Sequence, residues 1–151
     1  MSSPKMQYKS FRYENSVTWT GNRSGTLESE GKPVIQVSSP PEFRGEEGLW
    51  SPEDLFVAAV NICLLTTFMA FALRKELPLE SYVSSGEGVL ERGENGYQFT
   101  KVILQPHIIV SNSEAAELAA QILHDAHDKC LISNSIRGEV IVEPKIEPLW
   151  S

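Results

Sequence analysis

Four side chains set the chemistry open to this chain: the thiols of Cys63 and Cys130, the guanidinium of Arg23 and the carboxylate of Glu53. Each cysteine lies in a stretch of helical pattern, Cys63 in SPEDLFVAAVNICLLTTF and Cys130 at the close of SEAAELAAQILHDAHDKC. Two lone cysteines on separate helices suit a reactive thiol pair better than a zinc clip, which needs closely spaced ligand pairs. A free thiol titrates near about 8.5, so only a few per cent is thiolate at neutrality. The apolar neighbours Ile62, Leu64 and Leu65 would push Cys63 higher still, and a cysteine left so is an inert core residue. To react it needs a fixed cation. A three-unit drop requires a preference of roughly 4 kcal/mol for the thiolate, which a desolvated guanidinium supplies and a distant surface lysine does not.

Arg23 is the candidate cation, because it sits in the glycine-flanked turn Gly21-Asn22-Arg23-Ser24-Gly25, where a chain reversal aims a side chain inward. Glu53 is the natural carboxylate to hold it. It precedes Cys63 by ten residues on one helix, about 15 Å along the axis and roughly 80° apart in azimuth, so Arg23 could bridge the two. The structural alternative is a helix-capping Glu and a surface Arg.

The elements that must position these groups read as α+β. The aromatic and β-branched stretch from Tyr8 to Thr20 predicts a first strand, with short strands over 26–29 and 33–38. Pro40-Pro41 opens a loop that ends at Trp50. A long helix begins with Ser51 as N-cap, Pro52 in the first turn and Glu53 and Asp54 favoured by the dipole. It runs to about Glu76 and stops before Pro78. Strands over 80–92 and 97–110 flank Asn95-Gly96, a strong hairpin signal. Ser113 is expected to cap a second helix, and a last strand spans 138–146. With no repeat or linker, residues 1–151 read as one domain.

Length and composition agree with a single soluble globular domain: 151 residues suffice for a sizeable core, and 41% hydrophobic with 22% charged residues is ordinary. A net charge of −7 with scattered Lys and Arg argues against a nucleic-acid partner. The N-terminal segment MSSPKMQYKSFRYENS has no apolar core of the secretory kind, so a cytoplasmic location with both thiols reduced is expected. Residues 55–73 are apolar almost throughout and approach the length of a membrane span. With the β segments around them needing a cover, they read as a buried central helix with no membrane role. A helix apolar nearly all round must be covered nearly all round, which calls for a partner subunit.

At this point the residues resemble a known family. SPEDLFVAAVNIC, the Arg of GNRSG and the CLIS after the second helix are similar to the OsmC/Ohr family of osmotically inducible and organic-hydroperoxide-resistance proteins, in a less characterised OsmC-like branch. In the best-studied branch Pro follows the second cysteine, where Leu131 stands here. The resemblance implies an OsmC-like fold, antiparallel sheets packed around a long apolar helix in an intertwined homodimer with sites at the subunit interface. It implies a thiol peroxidase without cofactor or resident metal, acting on organic hydroperoxides and renewed by a dithiol reductant. Cys63 would attack the peroxide, Arg23 lower its pKa, Glu53 position Arg23, and Cys130 resolve the sulfenic acid as a disulfide. Thiol chemistry runs that way: a thiolate is oxidised to a sulfenic acid, which a neighbouring thiol condenses to a disulfide before overoxidation. An Arg close by would also stabilise the leaving alkoxide.

Phe56, Leu64 and Phe68 would suit an organic tail, although core packing explains each of them singly. Two further classes remain beside the peroxidase. One is a non-catalytic binding module on the same fold for an apolar small ligand, which would need neither Arg23, Glu53 nor the cysteines. The other is a metal protein using His124, His127 and Cys130, spaced i, i+3 and i+6 over about 120° of helix face, without a firm fourth ligand. His107 reads as a strand residue.

Overall fold

The computed structural model describes residues 8–150; the reading of the first seven residues as part of a non-secretory N-terminus lies outside them. The chain divides into two compact units, residues 1–52 and 53–151. In the first, β1 (Ser16–Gly21), β2 (Ser24–Glu28) and β3 (Ile35–Ser38) form an antiparallel sheet in that order. The strand expected from Tyr8 starts only at Ser16. Tyr8, Phe11 and Tyr13 have strand-type side chains but are exposed, and β propensity without a partner makes no ladder. At the β1–β2 turn, Gly21 (φ 131°) and Asn22 (φ 46°) take the left-handed side of backbone space, and Trp19 Nε1 donates to the Asn22 carbonyl at 2.9 Å. After β3 a 3₁₀ turn, Pro41–Phe43, packs back so closely that a Cβ at Gly45 would stand 1.4 Å from the Ser39 carbonyl oxygen. Only glycine fits there.

The second unit takes in α1 (Pro52–Arg74) from Glu53 onward, and the helix carries Glu53 and Asp54 in its first turn. It ends two residues earlier than its apolar pattern suggests, in a Schellman cap. Leu77 N–H donates to Ala72 O at 2.9 Å and Glu76 N–H to Leu73 O at 3.2 Å, while Glu76 takes φ 53°. Then β4 (Leu79–Gly93) and β5 (Gly96–Asn112) form a long hairpin through the predicted Asn95-Gly96 turn. Next, α2 (Ser113–Lys129) is capped by Asn112, whose side chain accepts from Ala115 N–H at 2.9 Å; the cap thus lies one residue before the expected Ser113. The expected last strand is two, β6 (Glu139–Val142) and β7 (Lys145–Trp150), which follow one another along β5 and run parallel to it. Pro144 between them cannot donate to a ladder.

One stripe of α1, Val60, Leu64, Phe68 and Ala72, recurs every four residues and packs into a core shared with Val102, Leu104, Ile108 and Val110 of β5 and with the inner face of α2. Glycines let the helix lie close on the hairpin: a Cβ at Gly88 would come within 2.5 Å of Val57 Cγ2 and 2.7 Å of Phe99 Cε1. The opposite face of α1 stays open, with Ile62 and Leu73 exposed. By length and composition α1 would be able to cross a membrane, but its buried stripe belongs to this core.

Phe68 is completely buried, and its ring meets Tyr82 with centroids 5.3 Å apart. Phe68→Ala should therefore lower the unfolding free energy by about 3–5 kcal/mol, read from the urea midpoint. A loss below about 1 kcal/mol would contradict its central place in the core.

Candidate functional site

The second unit folds its two cysteines against each other. Cys63 lies midway along α1, half-buried, and its backbone carbonyl accepts from Thr66 Oγ1 at 3.1 Å. Cys130 is the C-cap residue of α2, where the chain leaves helical geometry (φ −65°, ψ 115°), and it is fully buried. Both are free thiols, close enough for each to shift the other's pKa, with Cys130 acting as donor to the Cys63 thiolate.

Their electrostatics differ sharply. Burial alone would raise the Cys63 thiol, but a set of donors more than offsets it and brings the pKa below the ordinary thiol value. The donors are the Cys130 thiol, the Ile132 backbone N–H, the Thr67 hydroxyl and the Leu131 backbone N–H. The Thr67 oxygen is 3.9 Å from Sγ. A charged acceptor that receives several hydrogen bonds is favoured over its neutral form. Cys130 shifts the other way: burial pushes its thiol up, and donation to Cys63 adds to the rise against weaker help from Ser133. The two shifts run in opposite directions, so Cys63 is the thiol of the pair that ionises more readily.

A second buried group borders the thiols. The Tyr82 phenol on β4 is pushed up to about 12, by burial first and then by the charge of Cys130, and its hydroxyl is buried without a hydrogen-bond partner among the described residues. Neither Tyr82 nor the two backbone donors carries a sequence signal, since one is an unremarkable strand residue and the others are main chain. Thr67 had a signal in its position, one turn after Cys63 on the same helix face.

The remaining expected site residues are placed as follows. Glu53 opens α1 with Oε1 buried and unpartnered among the described residues. Arg23 belongs to the first unit, at the tip of the β1–β2 turn, where its Nη1 donates to the Phe43 carbonyl at 3.3 Å. Leu64 and Phe68 are core residues with no open surface, and Phe56 stacks on Phe99 at 4.7 Å. The helix faces explain this: the side chains spaced by four from Val60 point into the core, on the stripe opposite Ile62 and Leu73. His124 lies 3.6 Å from Asp128 on the exposed side of α2. Among the described residues His127 Nδ1 is buried without a partner, and no group of three or more metal-binding side chains forms. His107 is a β5 residue bonded to Glu147 at 2.7 Å, a contact that, with Lys145, keeps the Glu147 carboxyl below its usual range.

Known proteins share this arrangement of chain. The profile of OsmC-like proteins matches residues 45–145. An organic hydroperoxide resistance protein-like 1 from Staphylococcus saprophyticus is 27% identical over 132 residues, covering 87% of this chain and 92% of its own. An OsmC-like protein of unknown function from Vibrio cholerae superposes with a TM-score of 0.78 at 29% identity, over 88% of this chain and 99% of that one. An organic hydroperoxide resistance protein OsmC from Legionella pneumophila does so with a TM-score of 0.69, also at 29% identity, over 89% and 97%. The chain belongs to the OsmC-like family, which is associated with organic hydroperoxide resistance.

Proposed function

We propose that this protein is a cytoplasmic thiol peroxidase that reduces organic hydroperoxides through Cys63 and Cys130. The observation that carries the reading is the juxtaposition of two free thiols, a half-buried Cys63 whose pKa is lowered by donors around it and a buried Cys130 whose pKa is raised. The names of the relatives from Staphylococcus and Legionella support the substrate class.

The chemistry balances over three steps. The Cys63 thiolate attacks the outer peroxide oxygen, the O–O bond breaks, and the alkoxide leaves to take up a proton as the alcohol; Cys63 becomes a sulfenic acid. The Cys130 sulfur then displaces that oxygen, which departs as water, and a Cys63–Cys130 disulfide forms. A dithiol reductant exchanges with the disulfide, is itself oxidised, and returns both thiols.

Arg23 and Glu53 complete the site in this reading. The unpartnered Glu53 oxygen is suited to orient a guanidinium, and a guanidinium near the reacting oxygens stabilises the leaving alkoxide. The protein acts as a homodimer, because the second face of α1, with Ile62 and Leu73 exposed, is an apolar strip that water disfavours.

The decisive test is the intact mass of the reduced protein after one equivalent of cumene hydroperoxide. Loss of two hydrogens, mapped to Cys63–Cys130, is expected; an unchanged thiol pair would leave a binding module as the reading. Cys63→Ser should abolish peroxide consumption, whereas Cys130→Ser should complete one turnover and then stall or overoxidise. Full turnover by the Cys130 variant would remove its resolving role. Since the Cys63 pKa is lowered, the thiolate exists above that value and is lost as pH falls through it. The rate of the first step should rise with pH and level off with a midpoint below about 8.5; a midpoint above that contradicts the assignment. Ile62→Lys should convert a dimer to monomer in sedimentation, and a wild-type monomer would rule the dimer out.

A further inference from the structure

The donors that reach Cys63 raise the question of what aims them. A thiolate at the C-terminal end of a helix stands beside carbonyl oxygens and the negative pole of the helix dipole, a poor place for an anion. Around Cys130 four carbonyls, one in the last turn of α2 and three just after it, are occupied. Asp128 O accepts from Asn134 Nδ2 at 3.0 Å, Cys130 O from Asn134 N–H at 3.0 Å, Leu131 O from Ser135 Oγ at 2.7 Å, and Ile132 O from Ser135 N–H at 3.0 Å.

Trans peptide geometry turns these bonds into aim. In a trans peptide the C=O of one residue and the N–H of the next point in opposite directions, and no peptide in the described chain is cis. Asn134 N–H, by holding Cys130 O, therefore fixes the Leu131 N–H on the other side. Ser135 Oγ, by holding Leu131 O, fixes the Ile132 N–H. Both N–H groups lie close enough to Cys63 Sγ to favour its thiolate. Leu131 is 76% exposed, so its side chain contributes little to this turn and its main chain contributes the donor.

We propose that residues 130–135 form a thiolate-holding turn, in which the Leu131 and Ile132 N–H groups bind the Cys63 sulfur anion and Asn134 and Ser135 act as positioning residues. This rests on Cys63 being the nucleophile of the proposed reaction. The turn and Cys63 belong to one compact unit, so the proposed donors are all supplied from within it.

The test is the pH profile of Cys63 alkylation by iodoacetamide in the full-length protein, read by mass spectrometry of the Cys63 peptide. Leu131→Pro removes one donor, and the Cys130 ψ of 115° is one that a following proline accepts. Ser135→Ala releases the Leu131 carbonyl, and Ser135→Thr keeps the hydroxyl. Leu131→Pro and Ser135→Ala should each raise the midpoint by about one unit, about a tenfold slower alkylation below it, and Ser135→Thr should restore it. Midpoints unmoved in Leu131→Pro and Ser135→Ala overturn the proposal. So does a rise in Leu131→Ala equal to that in Leu131→Pro, which would give the effect to the side chain. Should Leu131→Pro fail to fold by circular dichroism, the Ser135 pair alone decides. Cumene hydroperoxide consumption is measured in parallel: a low wild-type midpoint without consumption sinks the peroxidase reading only, and consumption with unmoved midpoints sinks this proposal only.

Discussion

An anion on an apolar helix exists only where hydrogen bonds replace the water that packing removes, and this constraint governs the site. Cys63 stands on a helix whose neighbours Ile62, Leu64 and Leu65 offer nothing polar. Burial disfavours its thiolate, and without compensation the residue would be inert. The compensation comes from a hydroxyl one turn along the same helix, from the second thiol and from two main-chain amides after α2. Every one of the last three depends on α2 ending where it does. A longer α2 would engage the Leu131 and Ile132 amides in its own ladder and carry Cys130 past the contact.

The same contact makes the two thiols unequal. A donor to an anion is held protonated by that act, so the bond that lowers Cys63 raises Cys130. Burial of Cys130 is the larger cause of its rise, while Cys63 is only half-buried. The order of events in a thiol cycle would follow from this inequality rather than from the intrinsic chemistry of either residue.

The helix carrying Cys63 has two apolar sides with different fates. Val60, Leu64, Phe68 and Ala72 meet β5 and α2 in the core, while Ile62 and Leu73 remain exposed. Close approach to the hairpin requires Gly88, whose missing side chain makes room for Val57 and Phe99. The aromatic contact of Phe68 with Tyr82 ties this core to the buried phenol beside the thiols, so core packing and site geometry share residues.

The sequence by itself determined the elements whose signals are local. The start of α1 at Ser51-Pro52 and the Asn95-Gly96 hairpin follow from local backbone preferences, and the structure shows both of them. The cysteines and the family motif were equally visible. The parallel addition of β6 and β7 to β5 was not, because strand direction depends on the path of the intervening chain. Nor was the fate of Leu64 and Phe68, since an all-round apolar helix does not say which face its own core will take. The donors to Cys63 were hidden for a deeper reason. Backbone N–H groups are carried by almost every residue, and only the tertiary fold, through the carbonyl bonds of Asn134 and Ser135, decided that those of Leu131 and Ile132 should point at a sulfur atom far away in the chain.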